Sequence, residues 1–282
     1  MTKIGVAGEP TAPNPMRELC DCNDGRLLPV VGKTAVNLAW KSSIKGFLVD
    51  VTGVLYNYSS TGSGKAIPGS VEAVQRLYSE SRVRFLSNES ATSREVLHQK
   101  LQKLGFDIDV NHLFTPAATC SQYLQKEGCD FKDPNAVVMG YCGNGFTHEA
   151  LTDVYRILKS MQDPHLITMG FNESFQSVDG PILDVGYYAG GLIRALNCRH
   201  TIIGKPSESY FEVGLQSLGL DKESVVMIGD DIESDAGGAR NFGIRGVQVR
   251  TGKWRPEWEN HGTVKPDLIA EDLLNAVDLI LS

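Results

Sequence analysis

From Lys45 onward the chain alternates short apolar runs with apolar residues spaced for helices. Phe47-Leu48-Val49 reads as a strand, and Ser70-Val71-Glu72-Ala73-Val74-Gln75-Arg76-Leu77 carries helical spacing. Val83-Arg84-Phe85-Leu86 returns to a strand pattern. Thr92-Ser93-Arg94-Glu95 then has capping-box spacing ahead of Val96, Leu97, Leu101 and Leu104, with Gly105 placed to end that helix. Repeated β-α units of this length favour a parallel sheet with right-handed crossovers.

The middle of the chain has its own strand patterns, Ala136-Val137-Val138-Met139 and Leu166-Ile167-Thr168-Met169, and helical patterns at 149–161 and 189–196. After it the first pattern resumes with Thr201-Ile202-Ile203-Gly204, a helix at 207–218, a strand at 225–228, Gly246-Val247-Gln248-Val249, and an amphipathic helix at 271–281. The expected organisation is an N-terminal extension at 1–44, an α/β core at 45–111 and 200–282, and an inserted α/β domain at 112–199. Within the extension, Gly8-Glu9-Pro10 and Pro13-Asn14-Pro15 break regular structure, and only Val36-Asn37-Leu38-Ala39-Trp40 is periodic. Its acidic residues Glu9, Glu18, Asp21 and Asp24 match an Arg-rich transit peptide poorly.

Composition narrows the classes. A chain of 282 residues with 41% hydrophobic and 22% charged residues is of the soluble globular type, and no apolar run has the length of a membrane span. A formal charge of −7 argues against a nucleic-acid surface, which needs a basic face. The 6 cysteines are scattered and no signal-peptide pattern is read, so a reducing compartment is expected rather than a disulfide framework. Cys20-x-Cys22 lacks the spacing and second half-site of a zinc knuckle. His148, His165 and His200 lack metal spacing and read as structural.

The candidate chemistry lies at strand ends. Asp50 follows the first apolar run, and Asp230 and Asp231 follow Gly229 at the end of another. In open parallel sheets ligands gather at the carboxyl ends of strands, so residues distant in sequence can share one site. Mg²⁺ prefers oxygen ligands and is usually held by one or two carboxylates plus phosphate oxygens. Asp50 and Asp230 fit that requirement, whereas a strand-end aspartate on its own more often caps a turn.

Asp50-Val51-Thr52-Gly53-Val54, Ser87-Asn88, Gly204-Lys205-Pro206 and Gly229-Asp230-Asp231 with Asp235 follow in the order found in the haloacid dehalogenase superfamily, which residues 45–282 resemble. The resemblance implies a Rossmann-like core with an inserted cap, Asp50 as nucleophile, and Asp50, Asp230 and the Thr52 backbone carbonyl as Mg²⁺ ligands. It also implies phosphoryl contacts from Ser87, Asn88 and Lys205, and supporting roles for Asp231 and Asp235. In the bland reading Ser87 and Asn88 form a turn, Lys205 is a solvated cation, and Gly237-Gly238 simply allow close packing.

Thr52 departs from the superfamily pattern, in which the residue two after the nucleophile is a second aspartate serving as general acid and base. A hydroxyl of ordinary pKa cannot fill that role. Within the superfamily the chain resembles the phospholysine phosphohistidine inorganic pyrophosphate phosphatase family, which carries a hydroxyl residue there. Asp50-Val51-Thr52-Gly53-Val54-Leu55-Tyr56, Ser87-Asn88-Glu89-Ser90, Val226-Met227-Ile228-Gly229-Asp230-Asp231-Ile232 and Gln248-Val249-Arg250-Thr251-Gly252-Lys253 carry that likeness.

The likeness implies a Mg²⁺-dependent phosphatase of phosphoramidates and phosphoanhydrides, cytoplasmic with a nuclear location left open, and homodimeric. Its partner is a small phosphorylated substrate or phosphorylated side chain, with no nucleic acid and no membrane. The alternatives are a small-metabolite phosphomonoesterase of the same fold and a catalytically weak binding module. Asn172-Glu173-Ser174 and Asp184-Val185-Gly186-Tyr187 are candidates for the face of the insertion that meets the site.

Overall fold

The computed structural model describes residues 39–59, 64–129 and 134–282. Cys20, Cys22 and nearly all of the expected extension lie outside the described residues. In chain order the first elements are β1 (Gly46–Val49), β2 (Tyr56–Asn57), β3 (Lys65–Ala66), α1 (Ser70–Glu80), β4 (Arg82–Leu86), α2 (Arg94–Lys103), β5 (Leu113–Phe114) and α3 (Pro116–Lys126). There follow β6 (Val137–Met139), α4 (His148–Ser160), β7 (His165–Met169), β8 (Ser174–Ser177), β9 (Gly180–Leu183), α5 (Val185–Leu196) and β10 (Arg199–Ile203). The chain closes with α6 (Glu208–Leu218), β11 (Val225–Gly229), α7 (Gly238–Phe242), β12 (Arg245–Val249), β13 (Leu268–Ala270) and α8 (Leu273–Leu281).

The 6-stranded sheet runs β13-β12-β11-β1-β4-β5, parallel throughout. Strand β1 is fully buried because both faces of this sheet are covered, which is why it reads as an unbroken apolar run. Phe47 and Val49 point into one cluster with Leu77 of α1, Leu101 of α2 and Val277 of α8. Leu48 points the other way, against Phe211 and Leu215 of α6 and Phe242 of α7. The chain leaves β1 toward β4 on one side and later returns through β11 on the other, so the order reverses at β1. The carboxyl ends of β1, β4 and β11 therefore open onto one crevice.

A second, 3-stranded sheet runs β10-β7-β6, also parallel. Helices α4 and α5 cover it through Leu158, Val185, Ala189 and Leu192, and α3 covers it through Cys120 against Ile167 and Ile203. His165 and His200 serve this sheet structurally, each meeting a cross-strand threonine hydroxyl at 2.9 Å. The hairpin of β8 and β9 adds a bridge back to the core, where the Val178 N–H donates to the Tyr58 carbonyl at 2.9 Å.

The strand memberships differ from the sequence expectation at both junctions. Leu113–Phe114, expected in the insertion, pairs with β4 in the large sheet. Thr201–Ile203, expected in the core, pairs with β7 in the small one. Both are short apolar strands of ordinary composition, and pairing partners are not encoded locally. The start of α2 also moves by one residue: Ser93, not Thr92, is the N-cap, accepting from the Val96 N–H at 3.3 Å. Among the described residues no helix is long and apolar enough to cross a membrane.

Phe85 is wholly buried in β4, one residue before the site-bearing end of that strand. Phe85→Ala is expected to lower unfolding free energy by about 3–5 kcal/mol, read by urea denaturation. A loss below about 1 kcal/mol would mean that the core does not depend on this face of the sheet.

Candidate active site

Three strand ends deliver the site. The Asp50 N–H donates to the Ile228 carbonyl at 2.9 Å, extending the β1–β11 ladder by one residue and fixing where that carboxylate starts. Asp230 leaves β11 beside it, and a π-helical turn at Ile232–Gly237 brings Asp235 back under both. One carboxylate oxygen from each of Asp50, Asp230 and Asp235 lies within 4.8 Å of the others, and all three residues are buried. Glycine at 229 permits the approach of Asp235, whose Cγ lies 2.1 Å from where a Cβ would stand.

Lys205, only 2% exposed, enters from the loop after β10. Its ammonium pairs with Asp50 in a very short contact and with Asp235 Oδ1 at 2.8 Å. Burial alone would pull the Lys205 pKa down, but Asp235 and Asp50 outweigh it, so the ammonium is held charged. The carboxylates feel the opposite balance. Burial and then repulsion from Asp50 push Asp230 well above its ordinary range, and burial lifts Asp235 to about 7 against the attraction of Lys205.

A metal is the natural remedy for that imbalance. Lys205 pairs with only two of the three buried carboxylates, and buried charge is tolerated only when compensated. Asp230 Oδ2 accepts from the Lys253 N–H at 2.7 Å, while its buried Oδ1 has no hydrogen-bond partner. An unsatisfied carboxylate oxygen facing two more carboxylates is a donor set suited to a hard divalent cation. The Asp230 carboxylate is cradled by two glycines in left-handed conformations. A Cβ at Gly53 (φ +91°) or Gly252 (φ +59°) would stand 2.2 or 2.0 Å from its Oδ2.

The remaining expected residues divide. The buried Ser87 hydroxyl accepts from the Glu89 N–H at 3.0 Å, which leaves its own proton free to donate into the crevice. Thr52 lines the same cavity, its hydroxyl 3.4 Å from the Tyr56 phenol. Asn88 lines the cavity too, and its side-chain amide is engaged within the protein. Its Oδ1 accepts from the Lys205 N–H at 2.8 Å, and its Nδ2 donates to the Lys205 carbonyl at 2.9 Å and to Asn172 Oδ1 at 3.0 Å. The Asn88 side chain thus holds the lysine loop from the edge of the cavity.

Asp231 is engaged with its neighbours around the trio. Its Oδ1 caps the π-helical turn through the N–H groups of Glu233 and Ser234, and its Oδ2 pairs with Lys253 and accepts from Asn172 Nδ2 at 2.8 Å. Although burial opposes it, Lys253 and these donors hold the Asp231 carboxyl down to about 2. Of the two supporting carboxylates it is Asp235 that joins the acidic trio.

A cavity of about 180 Å³ opens above the trio. Its floor includes Asp50, Thr52, Ser87 and Lys205, and its outer wall Glu89, Lys100, Tyr58, Tyr141, Phe175 and Asp184. Asn172 and Asp184 from the insertion reach it; Glu173, Val185 and Tyr187 do not line it. Sequence reasoning assigns no role to Lys253, although it follows Gly252 just beyond β12, a placement like that of Asp50 and Asp230. The Lys253 ammonium also reaches the Ser174 carbonyl of the insertion at 3.5 Å.

A crevice at the reversal of a parallel sheet, with a strand-end aspartate paired to a buried lysine and two more buried carboxylates, defines a hydrolase of the haloacid dehalogenase type. A haloacid dehalogenase-like hydrolase family model matches residues 47–152, and a HAD-hydrolase-like model matches residues 202–276. The chain belongs to this family. It is 39% identical over 264 residues to phospholysine phosphohistidine inorganic pyrophosphate phosphatase of Danio rerio, covering 87% of this chain and 97% of that one. The protein of that name from Homo sapiens is 40% identical over 258 residues, covering 85% and 95%.

Haloacid dehalogenase-like hydrolase domain-containing protein 2 of Bos taurus is more distant at 33%, covering 86% and 98%. Among solved structures, a 4-nitrophenylphosphatase from Thermotoga maritima superposes with a TM-score of 0.74 at 22% identity, covering 86% of this chain and 99% of that one. That likeness is one of fold.

Gly252→Ala is expected to displace the Asp230 carboxylate and weaken divalent-cation binding about 10- to 100-fold, with the circular dichroism spectrum retained. Calorimetric titration with Mg²⁺ checks this, and unchanged affinity in the folded variant would remove Asp230 from the cation site.

Proposed function

We propose that this protein is a Mg²⁺-dependent phosphatase that works through a phosphorylated Asp50 and acts on phosphoramidates and phosphoanhydrides. The class of substrate carries over from the relatives' names, phospholysine, phosphohistidine and inorganic pyrophosphate. The observation that carries the reading is the Lys205 ammonium buried against Asp50 inside the acidic trio. An ammonium fixed beside a carboxylate is what a phosphoryl group needs if that carboxylate is to attack it, because the developing oxygen charge meets a cation already in place.

The chemistry follows from the residues. The Asp50 carboxylate attacks phosphorus and displaces the leaving group, and water then hydrolyses the acyl phosphate and restores the carboxylate. Lys205 and the Ser87 hydroxyl hold the phosphoryl oxygens, and Asn88 keeps Lys205 in register from both sides of its peptide unit. Asp50, Asp230 and the Thr52 backbone carbonyl would hold Mg²⁺, with Asp235 beside them. When bound, the ion neutralises phosphoryl charge that the protein's own cations leave uncompensated.

The Thr52 hydroxyl supplies no proton at neutral pH, so acid assistance to a departing atom must come from another residue, and alkyl esters, with the most basic leaving groups, depend on it most. The outer wall supports a basic leaving group. Glu89 offers a carboxylate to an amine or imidazolium, and Tyr58, Tyr141 and Phe175 offer ring faces and edges to its apolar part. The segment 116–203, which carries Tyr141, Phe175 and Asp184, acts as the cap. A cytoplasmic homodimer belongs to the same reading and rests on the family resemblance.

A phosphate-release panel of phospholysine, imidazole phosphate, pyrophosphate and alkyl phosphates, with and without Mg²⁺, tests the reading. Turnover of the first three that requires Mg²⁺ is expected; no release from any compound would leave only a binding module. Thr52→Asp should raise alkyl-ester hydrolysis relative to phosphoramidate hydrolysis by roughly 10²-fold, and an unchanged ratio would count against the role given to position 52.

A further inference from the structure

With a hydroxyl at position 52, the departing atom needs a proton from elsewhere, and the cavity holds several ionisable groups. Lys205 is committed to Asp50 and Asp235, and Lys253 to Asp231, and both ammonium groups are held charged by those partners. Lys100 lies over the rings of Tyr56 and Tyr58 at 4.5 and 4.8 Å and donates to the Tyr56 hydroxyl at 3.2 Å. Glu89 Oε1 closes its own turn by accepting from the Ala91 N–H at 2.8 Å. Asp184, contributed by the insertion, also lines the cavity and stands immediately before α5.

We propose that the Asp184 carboxyl group protonates the departing heteroatom and then takes a proton from the water that hydrolyses phosphorylated Asp50. The inference rests on the phosphatase reading and deepens it by assigning the acid that position 52 lacks. In the first step the bond from phosphorus to the leaving atom breaks while Asp50 Oδ bonds to phosphorus. The departing atom keeps the electron pair and receives the Asp184 proton. In the second step water bonds to phosphorus, its proton passes to the Asp184 carboxylate, and the Asp50–phosphorus bond breaks to release phosphate. Both carboxyl groups end as they began.

The surroundings fit this role. The Asp184 N–H donates to the Glu173 carbonyl at 2.8 Å, and its Oδ1 accepts from the Val185 N–H at 2.7 Å, which fixes one oxygen and leaves the other for a proton. Burial pushes the carboxyl up to about 6. The Val185 N–H and Lys253 pull against that push and Glu89 adds to it, while the Tyr141 hydroxyl facing it is itself pushed up by burial. Because the pKa is raised, the donor form is present below about 6 and is lost as pH rises through that value. An ordinary aspartate would already be a carboxylate there.

Asp184→Asn tests the proposal cleanly, since asparagine keeps the helix cap and the shape but carries no transferable acid proton. The measurement is kcat/KM against pH for phenyl phosphate and 4-nitrophenyl phosphate, whose own phosphate titrations are common to wild type and variant. The expected result is a fall in the phenyl to 4-nitrophenyl ratio on the order of 10²-fold, together with loss of the descending limb near pH 6. Equal losses on both substrates, or a limb that survives in the variant, would overturn it.

Should Asp184→Asn fail to fold, the wild type still decides. Its kcat/KM across aryl phosphates should fall only shallowly with leaving-group basicity, and a steep dependence would overturn the proposal. If the wild type turns over imidazole phosphate but releases no phosphate from 4-nitrophenyl phosphate with Mg²⁺ present, the Asp184 proposal fails and the phosphatase reading stands; if it releases none from either, it is the underlying phosphatase reading that fails.

Discussion

A lysine ammonium held in the dry interior between two carboxylates is the constraint on which this architecture turns. Burying Lys205 is tolerable only because Asp50 and Asp235 meet it there, and burying those aspartates is tolerable only because Lys205 offsets their charge. The partners come from different strand ends, so the charges are matched only if the large sheet has the right order. Asn88 extends the same logic to the backbone: from the end of β4 it grips both the N–H and the carbonyl of residue 205. Gly204 leaves no Cβ in the way, since one there would stand 2.8 Å from Asn88 Oδ1.

That arrangement ties the insertion to the chemistry. Asn172 bridges Asn88 and Asp231, and Lys253 reaches both Asp231 and the Ser174 carbonyl. A polar seam of this kind, rather than a continuous apolar core, joins the smaller sheet to the site. The large sheet keeps its own core on both faces, and the smaller sheet keeps a separate one. Polar seams between separately cored units can open without unfolding either unit, which is what entry of a substrate beneath a covering segment requires.

Much of this architecture is legible in the amino-acid sequence. Strands buried on both faces must be apolar throughout, so Phe47–Val49 and Val225–Ile228 stand out, and the polar residues that end such runs have to face the crevice. Hence Asp50 and Asp230 stand out by position, whereas Ser87 and Lys205 are read through the family resemblance. The hold of the Asn88 side chain on residue 205 is not legible, because an amide can donate to a ligand or clamp a loop equally well and only the third dimension chooses. Asp231 and Asp235 exchange prominence for a similar reason: the π-helical turn between them sends one carboxylate to the helix cap and the other beneath Lys205. Strand partnership at 113–114 and 199–203 is hidden because local composition does not name a neighbour. Lys253 stands just beyond a strand end, yet a lone lysine there is indistinguishable from a solvated one until Asp231 is seen to meet it.

The account requires that Asp50 itself become phosphorylated. Wild-type protein quenched in acid during turnover of a phosphoramidate, then mapped by mass spectrometry, is predicted to carry a phosphoryl group on Asp50. An Asp50→Asn preparation verified as folded and not deamidated should carry none and should not turn over. Hydrolysis by that preparation at the wild-type rate would contradict the account.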